Sequence, residues 1–217
     1  MKREPPRALL FDWDNTLVDT WSVIHHALTA TLKAMGHRPW SFEETRKRVR
    51  ASARDSFPLL FGERADEAME VFYETFEADH LARLRALPGA GDMLARLGEA
   101  GMLLGVVSNK RGCLLRRGVA HLGWTSLFHR LVGADDAPRD KPAVEAVDLA
   151  LEGSGLTRGS AVWFVGDTDI DMLCAQRAGC LPVLLRADPP APEEFGVAAP
   201  QCHVTSCRAL VELATAH

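Results

Sequence analysis

Phe11-Asp12-Trp13-Asp14-Asn15-Thr16-Leu17 follows without a break on the apolar run Ala8-Leu9-Leu10, and together they read as a buried strand opening into a loop. Asp12 and Asp14 stand two residues apart at that opening. Side chains alternate along an extended backbone, so both carboxylates leave the end of the sheet in one direction while Trp13 turns away. Like charges held that close are costly unless a cation lies between them or one carries a proton. The pair is therefore a candidate metal site, or a nucleophile with an acid/base partner. Taken alone, the plainer account is an acidic turn after a strand, so the rest of the chain has to decide.

With 217 residues, 47% of them apolar and 25% charged, the chain is long enough to bury a full core without a structural metal or disulfides. A net charge of −4 leaves no electrostatic footprint for nucleic acid or for an anionic membrane. Five cysteines without regular spacing do not make a disulfide framework. The apolar run near the N-terminus is too short for a signal peptide, and no stretch reaches the length of a membrane span. The expected compartment is the cytoplasm.

Residues 20–36 carry Ile24, Ala27, Leu28, Leu32 and Met35 at helical spacing, with Gly36 as the stop. Ser41-Phe42-Glu43-Glu44 has capping-box spacing and starts a second helix, whose later part holds Arg46, Lys47, Arg48, Arg50 and Arg54. Pro58 and Gly62 break the chain before a long helix with Met69, Phe72, Tyr73, Phe76 and Leu84 among its apolar positions. Beyond Pro88-Gly89 the pattern changes. Strands are expected at 103–107, 131–133, 161–165 and 181–185, with helices at 92–99, 114–122, 143–151, 172–178 and 206–214. Strands alternating with helices indicate an α/β fold, a parallel sheet covered on both faces. The helical block thus interrupts an α/β domain just after its first strand. The expected division is 1–18 with 87–217 as the α/β core and 19–86 as an all-α insertion.

Ligands of open α/β sheets bind beyond the carboxyl ends of the strands. Three strands here end in reactive groups: Asp12 and Asp14; Ser108, Asn109 and Lys110; and Asp167 with Asp171. Lys141 precedes a further helix. Several such ends together make an accidental acidic turn the weaker account. Asp12 and Asp167 offer hard oxygens of the kind Mg²⁺ takes, with waters and substrate phosphate completing its shell. Ser108 and Asn109 can donate to phosphoryl oxygens, and Lys141 can neutralise charge on a transferring group. Asp12 can attack phosphorus, and Asp14 can protonate a leaving alkoxide and later deprotonate water.

Asp12-x-Asp14-x-Thr16, Ser108, Lys141 and Gly166-Asp167-Thr168-Asp169-Ile170-Asp171, in that order, resemble the four motifs of the haloacid dehalogenase (HAD) superfamily. Ser108-Asn109-Lys110 and Asp140-Lys141-Pro142 look most like its phosphoglycolate phosphatase branch. The resemblance implies a Rossmann-like parallel sheet core with helices on both faces and an inserted all-α cap domain. It implies Asp12 as nucleophile and Asp14 as acid/base, with Thr16, Ser108 and Lys141 binding phosphate. It also implies Mg²⁺ held by the Asp12 carboxylate, the Asp14 backbone carbonyl and Asp167, with Asp171 acting mainly through water. The substrate so implied is a small phosphorylated metabolite, phosphoglycolate being the nearest guess. Family members commonly carry Gly where this chain has Asn15, a residue that tolerates positive φ better than other non-glycines.

Two rival readings share parts of this pattern. A β-phosphoglucomutase-like mutase has the same core and cap and differs in its product. A receiver-like signalling domain uses aspartate and lysine but is shorter, and both the insertion and Asp14 count against it. The cysteines read as structural: Cys202-His203 with Cys207 lacks a second pair to complete a metal site, and Cys113, Cys174 and Cys180 read as small core residues. Lys110 is open between phosphate contact and solvent.

Arg50 or Arg54, in the insertion, is expected to reach an anionic leaving group. Alanine at the responsible position should raise KM for such an ester by about tenfold, the worth of one charged hydrogen bond. Unchanged KM and kcat across several phosphate esters would remove both arginines from substrate contact.

Overall fold

The computed structural model describes residues 5–49, 51–191 and 193–216, so Arg50 lies outside the described residues. The chain divides into two compact units, Met1–Val18 with Ala86–His217, and Asp19–Arg85. It enters the first unit through β1 (Ala8–Phe11) and leaves it through the short β2 (Val18–Asp19). The second unit is helical, with α1 (Trp21–Ala34), α2 (Phe42–Arg48), α3 (Ala53–Phe61) and α4 (Ala65–Arg83). The return runs through β3 (Arg85–Ala86), which pairs with β2.

The helical unit has a core of its own. Leu28, Leu32 and Met35 from α1 and its end meet Phe57, Phe61, Ala65 and Ala68. Phe57 packs edge-on against both Phe61 and Phe72, the arrangement that the ring quadrupoles favour. The Ser41 capping box forms, with the Glu44 N–H donating to the Ser41 hydroxyl and the Ser41 N–H to the Glu44 carboxylate. The basic stretch behaves differently from the sequence expectation. The helix begun at Ser41 stops at Arg48, and Ser52 caps a new one that carries Pro58 in its interior. Burial of Phe57 and Phe61 on one face outweighs the hydrogen bond that Pro58 gives up.

In the first unit, β4 (Leu103–Val107), β5 (Arg130–Val132), β6 (Val162–Gly166), β7 (Leu181–Leu185) and β8 (Cys202–Val204) join β1 in one sheet. Its order is β5-β4-β1-β6-β7-β8, and every pair is parallel. β8, which holds Cys202 and His203, is an edge strand that the sequence reading missed. Its middle residue, His203, is exposed, so no continuous apolar run marks it. The helices are α5 (Ala90–Glu99), α6 (Gly112–His121), α7 (Glu145–Leu151), α8 (Asp169–Arg177) and α9 (Cys207–Thr215). Cys113 lies on the solvent side of α6 and is no core residue. No helix among the described residues is long and apolar enough to cross a membrane.

β1 lies between β4 and β6 in matched register, Phe11 pairing with Val106 on one side and Val165 on the other. The residues that follow these three strands are Asp12, Ser108 and Asp167, which therefore emerge side by side where the order of connection reverses. Leu10 and Phe164 project to the face covered by α7 and α8, where they meet Val147, Ala150, Leu151, Cys174 and Ala175. Gly105, beside Leu10, leaves room for it. A Cβ there would lie 2.8 Å from Leu10 Cδ2.

Leu10→Ala should therefore lower stability by about 2–5 kcal/mol, as buried large-to-small changes do where the surroundings cannot collapse. The denaturant midpoint checks this, and the slope of the transition should be unchanged.

Candidate active site

Lys141 is the centre of the cluster at the strand ends. Its side chain is 2% exposed, and its ammonium donates to Asp12 Oδ1 at 2.6 Å and to Asp171 Oδ1 at 2.7 Å. Asn109 sets its backbone, with Nδ2 donating to the Lys141 carbonyl at 3.2 Å and Oδ1 accepting the Lys141 N–H at 2.9 Å. The Asn109 amide thus joins the end of β4 to the loop carrying the lysine.

Asp12 follows β1 directly, its N–H bonded to the Val165 carbonyl at 2.8 Å. Asp167 follows β6 in the same way. The Thr16 hydroxyl, fully buried, lies 3.2 Å from Asp167 Oδ1 and 3.4 Å from Asp12 Oδ2. It bridges the carboxylates of two strands, a contact that the expectation of phosphate binding did not include. Asp171, in the first turn of α8, accepts from the Thr168 N–H at 3.1 Å and the Thr168 hydroxyl at 2.8 Å through Oδ2. Both its oxygens are thus engaged by the protein. Gly166 permits this approach, since a Cβ there would overlap the Asp171 side chain.

Asp12, Asp167 and Asp171 present carboxylate oxygens within 4.8 Å of one another, all from buried residues. One ammonium cannot balance three carboxylates. Burial raises the Asp12 carboxyl to about 7, Lys141 opposing it and Asp171 and Asp14 adding to it. Burial, with Asp171 and Asp12 beside it, holds Asp167 well above the usual carboxylate range. Burial pulls the Lys141 ammonium down, but Asp12 and Asp171 overcome it and leave it raised, so this lysine stays charged. The surplus of buried negative charge, on hard oxygen donors, fits a divalent cation such as Mg²⁺.

Asp14 lies further out, paired with Lys110 at 3.0 Å. Asn15, with φ of 64°, turns the chain in the left-handed region where glycine would be easiest, and its N–H reaches the Val18 carbonyl at 2.6 Å. Trp13 turns away as alternation requires and packs edge-on against Trp124, centroids 6.1 Å apart. Ser108, buried, accepts the Lys110 N–H through Oγ at 3.2 Å.

The structure thus brings together Asp12, Thr16, Lys141, Asp167 and Asp171 by direct contact, with Ser108 and Asn109 at the adjoining strand end. Arg54 is exposed in the helical unit. One partner and one residue lie beyond the sequence reading. Lys110, open there between phosphate contact and solvent, pairs with Asp14 across 96 positions of the chain. Arg186 was missed, although it follows β7 directly and so obeys the strand-end rule. It grips Glu194 with both Nη atoms and donates to the Asp167 carbonyl at 3.1 Å, holding the Asp167 loop from behind.

The sequence model of the haloacid dehalogenase-like hydrolases matches residues 9–184, from β1 into β7. A phosphoglycolate phosphatase of Cereibacter sphaeroides is 32% identical over 182 residues, covering 79% of this chain and 81% of its own. The pyrophosphatase PpaX of Oceanobacillus iheyensis is 30% identical over 172 residues, 79% of each chain. Among solved structures, a haloacid dehalogenase-like hydrolase of Streptococcus pneumoniae superimposes with a TM-score of 0.83 at 20% identity, covering 96% of this chain and 98% of that one, which shows a common fold. Every residue of the carboxylate–lysine cluster lies inside the matched span. The chain belongs to the haloacid dehalogenase-like hydrolase family, on its phosphoglycolate phosphatase-like branch.

Proposed function

We propose that the protein is a Mg²⁺-dependent phosphatase that hydrolyses a small phosphate monoester through an aspartyl-phosphate on Asp12. The observation that carries this reading is the burial of Asp12 against Lys141, Asp167 and Asp171, with a second carboxylate, Asp14, two residues along the same loop. Metal would be held by Asp12, Asp167 and the Asp14 backbone carbonyl, with Asp171, already committed to Lys141 and Thr168, behind them. When bound it supplies Lewis-acid neutralisation of the phosphoryl oxygens.

The protein's own groups account for the bond changes. A carboxylate oxygen of Asp12 attacks phosphorus, the bond from phosphorus to the leaving oxygen breaks, and its electron pair goes to that oxygen, which takes a proton from Asp14. Water then attacks the phosphorus of the aspartyl-phosphate. Asp14 takes the water's proton, and the acyl-phosphate bond breaks to return the Asp12 carboxylate and free phosphate. Lys141 balances charge on the transferring group from its place against Asp12. The Ser108 hydroxyl accepts from the Lys110 N–H and keeps its own proton for a phosphoryl oxygen.

The helical Asp19–Arg85 unit is the part of the chain to which we assign choice of leaving group, with Arg54 its candidate among the described residues. The relatives' names, phosphoglycolate phosphatase and pyrophosphatase, support a small anionic phosphate compound as substrate.

Asp12→Asn should abolish phosphate release from an aryl phosphate, and Asp14→Asn should cost about 10²–10⁴-fold with an alkyl phosphate. Retained activity in Asp12→Asn would overturn the mechanism. An isomerised ester in place of free phosphate, with a sugar phosphate as substrate, would establish a mutase.

The raised Asp12 carboxyl also sets a pH dependence. In metal-free protein its contribution to stability is full below the ordinary 3.8 and is lost as pH rises through about 7, because the folded state holds the proton longer. A cation has to displace that proton at low pH. The thermal stabilisation by Mg²⁺ should therefore be small at pH 5 and grow through neutrality, and EDTA should abolish both the stabilisation and the turnover.

A further inference from the structure

We infer that Lys110 is a positioning residue that holds Asp14 for proton delivery, and that the pair suits the site to esters whose leaving group cannot depart without a proton. The inference rests on the phosphatase reading above and goes beyond it in naming the residue that orients the acid/base and the class of leaving group it serves.

The Lys110 ammonium donates to Asp14 Oδ1 at 3.0 Å, with the lysine side chain 6% exposed and the aspartate 21%. Lysine after a strand end ordinarily extends into water, where an ion pair stabilises by little and costs side-chain entropy. Here the chain is buried and its backbone is fixed from both directions. The Lys110 N–H donates to Ser108 Oγ at 3.2 Å, and its carbonyl accepts the Ala134 N–H at 2.8 Å. Gly133 permits that second contact, because a Cβ there would lie 2.7 Å from the Lys110 carbonyl oxygen. Asp14 is fixed in turn by its bridge to Val18 and by the left-handed turn at Asn15. Two anchored loops therefore meet through one ion pair.

The pairing decides how Asp14 works. A carboxylate on its own turns among rotamers, whereas a proton donor has to lie within about 3 Å of the oxygen it serves. With Oδ1 engaged by Lys110, the proton travels through Oδ2. As the bond from phosphorus to the leaving oxygen breaks, the electron pair goes to that oxygen and the proton moves to it from Oδ2. Lys110 itself gains and loses nothing. An alkyl leaving group needs this proton, while a p-nitrophenolate departs without it. A misplacement of about 1 Å at such a point costs about 10²-fold.

The test is the ratio of kcat/KM for an alkyl phosphate, such as phosphoglycolate, to kcat/KM for p-nitrophenyl phosphate. Both values report steps through formation of the aspartyl-phosphate, so slow hydrolysis of that intermediate does not mask the effect. In Lys110→Met the ratio should fall by about 10²-fold, and Lys110→Arg should restore it to within about threefold of wild type. A ratio equal to wild type in Lys110→Met, or equal loss on both esters with no rescue by arginine, overturns the assignment. Failure of the phosphatase reading is separate, since it would show as turnover surviving in Asp12→Asn.

Discussion

Three carboxylates buried around a single ammonium govern this molecule. Asp12, Asp167 and Asp171 cannot all be charged beside Lys141 without a further positive charge or a proton. Such a cluster is a poor source of stability, because removing its members from water costs several kcal/mol per ion. It is nevertheless held together, so its cost is carried elsewhere, chiefly by the apolar strands beneath it. Leu9, Leu10 and Phe11, Val106 and Val107, and Phe164 and Val165 are fully buried, and the charged residues begin where those strands stop.

The charges are positioned through backbone contacts. Asn109 brackets the main chain of Lys141, Thr168 takes the second oxygen of Asp171, and Arg186 holds the carbonyl of Asp167. Each of these contacts joins a charged residue to a neighbouring strand end or helix start, so the cluster inherits the rigidity of the sheet. A site that resists relaxation in this way keeps its electrostatic strain available for chemistry, since its dipoles need no rearrangement when a charged group arrives. Lys110 belongs to the same pattern. Its ammonium pairs with the outer carboxylate, and its own backbone is held by Ser108 and Ala134.

The helical unit follows a different economy. Its core is aromatic, built from Phe57, Phe61 and Phe72 around α1 and α4. Each unit thus has a core of its own, encoded in a separate part of the chain.

Apolar runs bounded by polar residues sufficed to read from sequence the parallel α/β architecture, five of the strands of its main sheet and the polar residues at their ends. That is because burial on both faces imprints a continuous pattern on each strand and chemistry collects where the pattern stops. Two elements were not readable: β8 has the exposed His203 at its middle and so no continuous apolar run, and the helix through Pro58 contradicts local propensity because aromatic burial overrides it. The partners of Lys110, Asn109, Thr16 and Arg186 came only from the tertiary structure. A side chain's type tells what it can bond, but these bonds close over separations that local pattern does not encode, from 19 positions for Arg186 to 151 for Thr16. Sequence alone named the charges at the end of the sheet; folding decided which of them neutralise one another and which are left for the substrate.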